Sequence, residues 1–173
     1  MARLRKFVAY RTIERPYTRV SKFRSKSYVK SRPHLKITRF DMGNLNGSFK
    51  YRVSLVSKQP LQIRQESIES ARVSANRLLE KTLGRSSYHF KILKYPHHVL
   101  RENPLASGAG ADRLSTGMKL SFGKVIGIAV QLREGERLMS VYVNEDGIEK
   151  ARRALRLAYT KLPLSYSIVE EKA

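Results

Sequence analysis

At 173 residues the chain is long enough for one domain with a substantial core, and its 35 Lys and Arg against 14 Asp and Glu leave a net charge of +21. It has no cysteine, which excludes disulfides and thiolate metal sites, and no apolar run approaches the roughly 20 residues that cross a bilayer. The start MARLRKFVAYRTIERP lacks the apolar stretch of a signal peptide, so a soluble, unexported, cytoplasmic protein is expected. A charge excess of this size opposes compaction unless a polyanion neutralises it. Ala2 stands where myristoylation needs glycine, and there is no cysteine to acylate, so nucleic acid, not a membrane, is the expected polyanion.

The charge is concentrated at the start. Residues 1–40 carry 13 Lys and Arg and a single acid, Glu14. Phe7, Tyr10, Tyr17, Phe23, Tyr28 and Phe40 are interleaved with these bases, a mixture that suits a segment laid on RNA better than a solvated tail. We therefore expect residues 1–47 to be a basic RNA-binding arm and residues 48–173 to be the globular core.

In the core, FKYRVSLVS alternates Phe49, Tyr51, Val53 and Leu55 against Lys50, Arg52 and Ser54, which predicts a half-buried strand. ESIESARVSANRLLEKTLG predicts a helix with Ile68, Ala71, Ala75, Leu78, Leu79 and Leu83 on one stripe and Gly84 as its stop. Its opposite face is expected to carry Arg72, Asn76 and Glu80. YHFKILKYP predicts a further strand, interrupted by Pro96 before a short extended HHVLREN. A glycine-rich loop spans residues 103–116. Leu114, Met118 and Phe122 then fall at i, i+4 and i+8, the pattern of a short helix weakened by Gly117. KVIGIAVQLR reads as a central strand, and RLMSVYVN is expected to return antiparallel to it after REGE. DGIEKARRALRLAYTKLP predicts a second helix with Ile148, Ala151, Leu155, Ala158 and Leu162 buried, Asn144 or Asp146 as cap, and Pro163 as stop. SYSIVEE closes as a strand. Consecutive strands with few helices between them indicate an α+β fold, a mixed or antiparallel sheet packed with two main helices.

Candidate catalytic and cofactor motifs fail on spacing. A G-x-G-x-x-G pattern starting at Gly108 and Gly110 would need glycine where Arg113 stands, and a P-loop ending at Gly123-Lys124 would need Ser or Thr where Val125 stands. His97, His98 and Glu102 can be drawn as a metal set, but adjacent histidines on a strand point to opposite faces and chelate poorly, so no metal and no cofactor is expected. A Ser107–His98–Asp112 triad lacks the G-x-S-x-G elbow; the histidines read better as phosphate contacts or strand-end packing. Arg72, Asn76 and Arg77 fit either a solvated helix face or contacts to an RNA backbone. The tip of the long loop is built from Gly, Ala and Ser, which let backbone approach another molecule closely, and Arg101 and Arg113 could anchor its base on phosphates.

YPHHVLREN, GAGADRLSTGM, FGK and YRVSLVSKQPLQIRQESIESARVSANR closely resemble the large-subunit ribosomal proteins of the L-ten-e type in archaea and eukaryotes, counterparts of bacterial L-sixteen. The resemblance also takes in Tyr10-Arg11, Pro16-Tyr17-Thr18-Arg19 and Phe40-Asp41-Met42-Gly43-Asn44. It implies an α/β-hammerhead-like domain on large-subunit rRNA, close to the peptidyl transferase centre, the 5S rRNA region and the aminoacyl-tRNA path. Three places depart from the family pattern: Val8-Ala9 before Tyr10-Arg11, Ser31-Arg32-Pro33-His34 in place of a glycine-bounded turn, and Pro104-Leu105 at the loop entry.

The candidate rRNA-binding residues are accordingly Arg3, Arg5, Lys6, Tyr10, Arg11, Arg15, Tyr17, Arg19, Lys22 and Arg24 in the arm. Arg64, Arg72, Asn76 and Arg77 follow on and before the first helix, and His97, His98, Arg101, Lys119 and Lys124 around the loop base. Asn103 and the tip Ser107, Gly108, Ala109, Gly110, Ala111, Asp112 and Arg113 are expected to lie near tRNA acceptor ends. Other expected partners are neighbouring large-subunit proteins, with no homo-oligomer. From the residues alone two alternatives stand beside this reading: an RNA-modifying or RNA-cleaving enzyme using His97, His98 and Asp112, and a general nucleic-acid-coating protein.

Overall fold

The computed structural model describes residues 4–18, 29, 32–115 and 117–173. Among the described residues, eight strands form two antiparallel sheets. Strands β1 (Asp41–Gly43), β2 (Tyr51–Ser57), β4 (Tyr88–Ile92), β7 (Arg137–Val143) and β8 (Tyr166–Lys172) build a five-stranded sheet in the order β1-β4-β7-β2-β8. Strands β3 (Leu61–Arg64), β6 (Lys124–Leu132) and β5 (His98–Glu102) build a three-stranded one in the order β3-β6-β5. Helix α1 (Gln65–Leu83) follows β3 directly, α2 (Ala111–Leu114) is a single turn in the long loop, and α3 (Ile148–Tyr159) connects β7 to β8. This is the α+β architecture that the spacing of the elements indicates.

The period-2 pattern of the strands explains why one face of the large sheet is closed. Val53, Leu55, Phe90, Met139, Val141 and Val143 lie in register on that face and are wholly buried. Ile68, Ala71, Ala75 and Leu79 of α1 and Ala151, Ala154, Leu155 and Ala158 of α3 join them in one core. The alanines let the two helices approach closely. Removing a Phe-sized side chain from water contributes about 1.5–3 kcal/mol, so this core holds most of the fold together. Gly43 is required where β1 meets β4: its φ is +88°, and a Cβ there would lie 2.2 Å from the Tyr88 carbonyl oxygen.

Several expectations are corrected. β6 and β7 do not return upon each other: β6 pairs with β3 and β5, whereas β7 pairs with β2 and β4. The four residues between them carry the chain from one sheet to the other. Arg72 and Asn76 are not on the outer face of α1. Arg72 is buried and forks onto both Glu69 carboxylate oxygens at 2.8 and 2.6 Å, and it also reaches the Met42 sulfur. This pairing holds the Glu69 carboxyl below its usual range. Asn76 accepts the Tyr88 hydroxyl at 2.8 Å, while Val73, Arg77 and Glu80 face outward. The predicted helix through Leu114, Met118 and Phe122 is replaced by α2, a break and a 3-10 turn at Gly117–Leu120. All three side chains are exposed, Leu114 by 82%, so no burial rewards a helical stripe. Neither Asn144 nor Asp146 caps α3 through its side chain; a 3-10 turn at Glu145–Gly147 leads into the helix instead.

Candidate nucleic-acid interface

The arm lies across the outer face of the three-stranded sheet. That face carries Gln62, Gln131, His98, Leu100 and Gly127, alternating with the side chains that enter the core. Gln131 spans two elements: its amide donates to the Glu14 carbonyl at 3.0 Å and to Gln62 Oε1 at 2.9 Å. Arg64 Nη1 donates to the Arg5 carbonyl at 3.1 Å, and Arg5 pairs with Glu102. Gly127 leaves room for Leu4, whose methyl carbon would sit 3.0 Å from an added Cβ.

Tyr17 is the central fastening. Its N–H donates to His98 Nδ1 at 2.8 Å, and its carbonyl accepts from the Val99 N–H at 3.0 Å. The ring stacks on His98 at 5.4 Å and meets the edge of Phe122 at 5.2 Å. Arg101 covers the other partner, its guanidinium 4.1 Å from the Phe122 ring centre, and donates from Nε to the Phe122 carbonyl at 3.1 Å. The start and end of the loop are thereby joined to the arm. Burial lowers the His98 imidazole to about 4, with the neighbouring His97 adding to the effect. Because Nδ1 accepts from Tyr17, the neutral ring carries its proton on Nε2. A cavity of about 270 Å³ remains between arm and sheet, bordered by Tyr10, Thr12, Glu14, Tyr17, Gln62 and His98.

The side chains that can still meet a partner form an exposed basic surface on this side. Arg5, Lys6, Arg11 and Arg15 of the arm are exposed, as are Arg113, Lys119 and Lys124 around the loop; Tyr10, Arg64, His97 and Arg101 are half-buried. Arg77 is exposed on α1, apart from this set. Arg3, Arg19, Lys22 and Arg24 lie outside the described residues. The loop from Asn103 is closed at its base by the Asn103 side-chain amide donating to the Gly117 carbonyl at 3.3 Å. Ser107, Gly108, Ala109 and Gly110 are exposed; Ala111, Asp112 and Arg113 lie in the α2 turn. An added Cβ at Gly108 or Gly110 would meet nothing within 4 Å, so the tip stands clear of the body.

Among the described residues the Ser107–His98–Asp112 set is not assembled. His98 is 7% exposed with Nδ1 engaged, whereas Ser107 and Asp112 sit exposed on the loop. Among the described residues no group of three His, Asp or Glu is placed to hold a metal ion, and no helix is long and apolar enough to cross a membrane. Sequence reasoning missed Gln62, Gln131 and Phe122, and took Glu102 only with His97 and His98, where the structure pairs it with Arg5. Of these Phe122 had a legible signal, an aromatic next to Gly123-Lys124.

Residues 14–169 match the family model described as "Ribosomal protein L16p/L10e". Among curated relatives, the large ribosomal subunit protein uL16 of Nanoarchaeum equitans is 47% identical across the whole of this chain and 97% of its own length. The proteins of the same name from Methanospirillum hungatei and Archaeoglobus fulgidus are 45% and 42% identical, each over 94% of this chain and over 92% and 90% of their own lengths.

Proposed function

Because this chain belongs to the ribosomal protein L16p/L10e family, we propose that it binds large-subunit rRNA near the peptidyl transferase centre and helps shape the tRNA-binding site. It is a structural ribosomal protein and not an enzyme; it works within the large subunit of the cytoplasmic ribosome, with rRNA and neighbouring ribosomal proteins as partners. The observation that carries the finer reading is the joining of arm and loop base at Tyr17, His98, Arg101 and Phe122, beneath a surface of exposed cations.

The mechanism is electrostatic and steric. Exposed Arg5, Lys6, Arg11 and Arg15 of the arm neutralise phosphates and fix the register of the folded core on rRNA, in the 5S region. Arg101 is turned inward to hold the loop base; Lys119, Lys124 and Arg113 supply the phosphate contacts there. The loop, residues 103–116, then extends a small tip, uncharged from Ser107 to Ala111, toward tRNA acceptor ends. Glycine and alanine let it enter a crowded RNA site without displacing structure. The chain acts as a single copy in each subunit.

Two measurements test this. In a high-salt sedimentation profile of cell lysate, the protein should run one-to-one with large subunits and full ribosomes; confinement to light fractions would sink the reading. Deleting Leu105–Ala111 should leave incorporation largely intact while impairing translation or late subunit maturation. Normal growth and peptide-bond formation by such ribosomes would remove the loop's assigned role.

A further inference from the structure

The two faces of the five-stranded sheet are unlike. Helices close one. On the other, register brings Gly43, His89, Tyr142, Arg52 and Glu171 onto one row and Asp41, Lys91, Ser140, Ser54 and Val169 onto the next. The side chains on these rows bond to one another across the strands. Asp41 accepts from His89 Nε2 at 3.0 Å and stands 3.7 Å from the Lys91 ammonium. His89 and Tyr142 stack with ring centres 5.3 Å apart and 19° between planes. Arg52 hydrogen-bonds to Tyr142 and pairs with Glu171, which also accepts from Arg137 at 2.6 Å. Ser54 and Ser140 share a hydrogen bond of 2.8 Å beneath them. Among the described residues, every one of these contacts stays within the sheet.

Two properties of this face identify its occupant. Three cations, Arg52, Lys91 and Arg137, meet two carboxylates, Asp41 and Glu171, so the face stays positive while each acid braces two cationic or imidazole groups in place. At its centre stands a parallel ring pair, and on its His89 side the next residue of the row is Gly43, which has no side chain to cover that ring. Cations beside a stacking platform on a flat, open sheet fit a single-stranded nucleic acid, whose bases add to the stack and whose phosphates meet the cations. An acidic protein segment would use the cations but leave the rings without a role.

We infer that this open sheet face is a second RNA-docking surface, taking an unpaired strand with at least one base stacked on the His89–Tyr142 pair and phosphates on Arg52, Lys91 and Arg137. The inference rests on the rRNA-binding reading above but uses a separate surface from the arm and loop. None of its residues belongs to the predicted RNA-binding set.

The test titrates the purified full-length chain with fluorescein-labelled oligouridylate and with an RNA duplex of equal length. Combining His89→Ala with Tyr142→Ala should weaken single-strand binding on the order of tenfold to a hundredfold. The duplex affinity and the salt slope should stay as they were. Tyr142→Leu, which keeps bulk without a ring, should repeat the loss, whereas Tyr142→Phe should retain most binding. Arg137→Gln should reduce the salt slope by about one contact's worth. Unchanged single-strand affinity in the natively folded double variant overturns the inference, as does failure of the unaltered chain to bind the single strand. Thiouridine cross-links in assembled subunits should map to Tyr142; cross-links from this face to a protein alone would assign it to a protein partner and overturn the RNA assignment. Wild-type protein that is absent from large subunits defeats the wider reading instead. Its presence there, with indifferent sheet-face variants, defeats only this one.

Discussion

The large sheet is closed by two helices that bring aliphatic stripes to it, whereas the outer face of the small sheet is closed by an extended arm held through amides, an imidazole and ion pairs. The first closure uses contacts that any aqueous solution favours, since apolar area leaves water wherever the protein is. The second depends on Gln131, Arg64, Tyr17 and His98, polar contacts worth about 0.5–1.5 kcal/mol each. Among the described residues, its apolar share on that face comes from buried Leu100 and Ala129 and from Leu4 against Gly127. One region is thus a self-sufficient scaffold. The other is held by polar contacts whose strength depends on charge and hydration.

Phe90→Ala should have the largest effect. The side chain is fully buried at the middle of the large sheet, and its loss should cost about 3–5 kcal/mol. Denaturant titration followed by far-ultraviolet circular dichroism should show one cooperative transition at a much lower midpoint. If the large sheet melted while the arm-covered sheet stayed intact, the division of labour would be wrong.

Gly123→Ala comes next. Gly123 has φ of +78°, and a Cβ would sit 2.5 Å from the Glu102 carbonyl carbon and 2.8 Å from the Asn103 nitrogen. Those are backbone atoms, so β5 and the loop base must part, at roughly 2–4 kcal/mol. Hydrogen exchange should show the damage at residues 99–103 and 122–125 while α1 and α3 keep their protection. Uniform loss of protection would show that the loop base is part of the scaffold.

These two sites also show what the sequence could disclose. Helices α1 and α3 were readable because an aliphatic stripe at helical spacing has few other uses, and β2, β4 and β6 because their alternation or apolar length is strong. The pairing of β6 with β5 and β3 was not readable: a four-residue connection normally closes a hairpin, and nothing local says that it instead passes between sheets. The four-residue strand β3 was missed because LQIR is too short to show a period. Leu114, Met118 and Phe122 mimic a stripe, but no surface waits to receive it. At the candidate interface, Tyr17, His98 and Arg101 were singled out from the bases and aromatics around them, but as RNA contacts. Their mutual contacts were not, because they join residues 81 or more apart in sequence for Tyr17 and His98. The sheet-face pair of His89 and Tyr142 was hidden for the same reason, each being merely the polar member of an alternating strand.

A pH titration should separate the two regions more gently. His98 titrates near 4 in the folded protein, below the ordinary value of 6.5, because burial disfavours its charged form. The unfolded chain therefore takes up this proton first as pH falls. The contribution of the neutral ring is fully present above about 6.5 and is lost progressively as pH drops toward 4. Protonated Nδ1 would also turn a donor toward the Tyr17 N–H. Allowing for solvent reaching the ring, the loss should be about 1–2 kcal/mol. Amide exchange at Tyr17 and Val99 should quicken over this interval in the wild type, and His98→Gln should flatten the dependence. An equal response in the large-sheet amides would assign the titration to the whole fold.

Gly108→Ala should have the smallest effect, and that smallness is informative. Gly108 has φ of +116° with nothing within 4 Å of an added Cβ, so only the conformational preference of an L-residue opposes it, about 1 kcal/mol or less if the tip can shift. Global stability and arm protection should not change, because no packed atom depends on this position. Translation by ribosomes carrying the variant should nevertheless slow if the tip enters a confined RNA site, where one methyl group meets atoms that the free protein lacks. A fully folded protein with impaired ribosomes would show that this glycine is kept for a partner's sake. A variant neutral in both assays would mean that loop flexibility, and not the missing side chain at this position, is what the tip supplies.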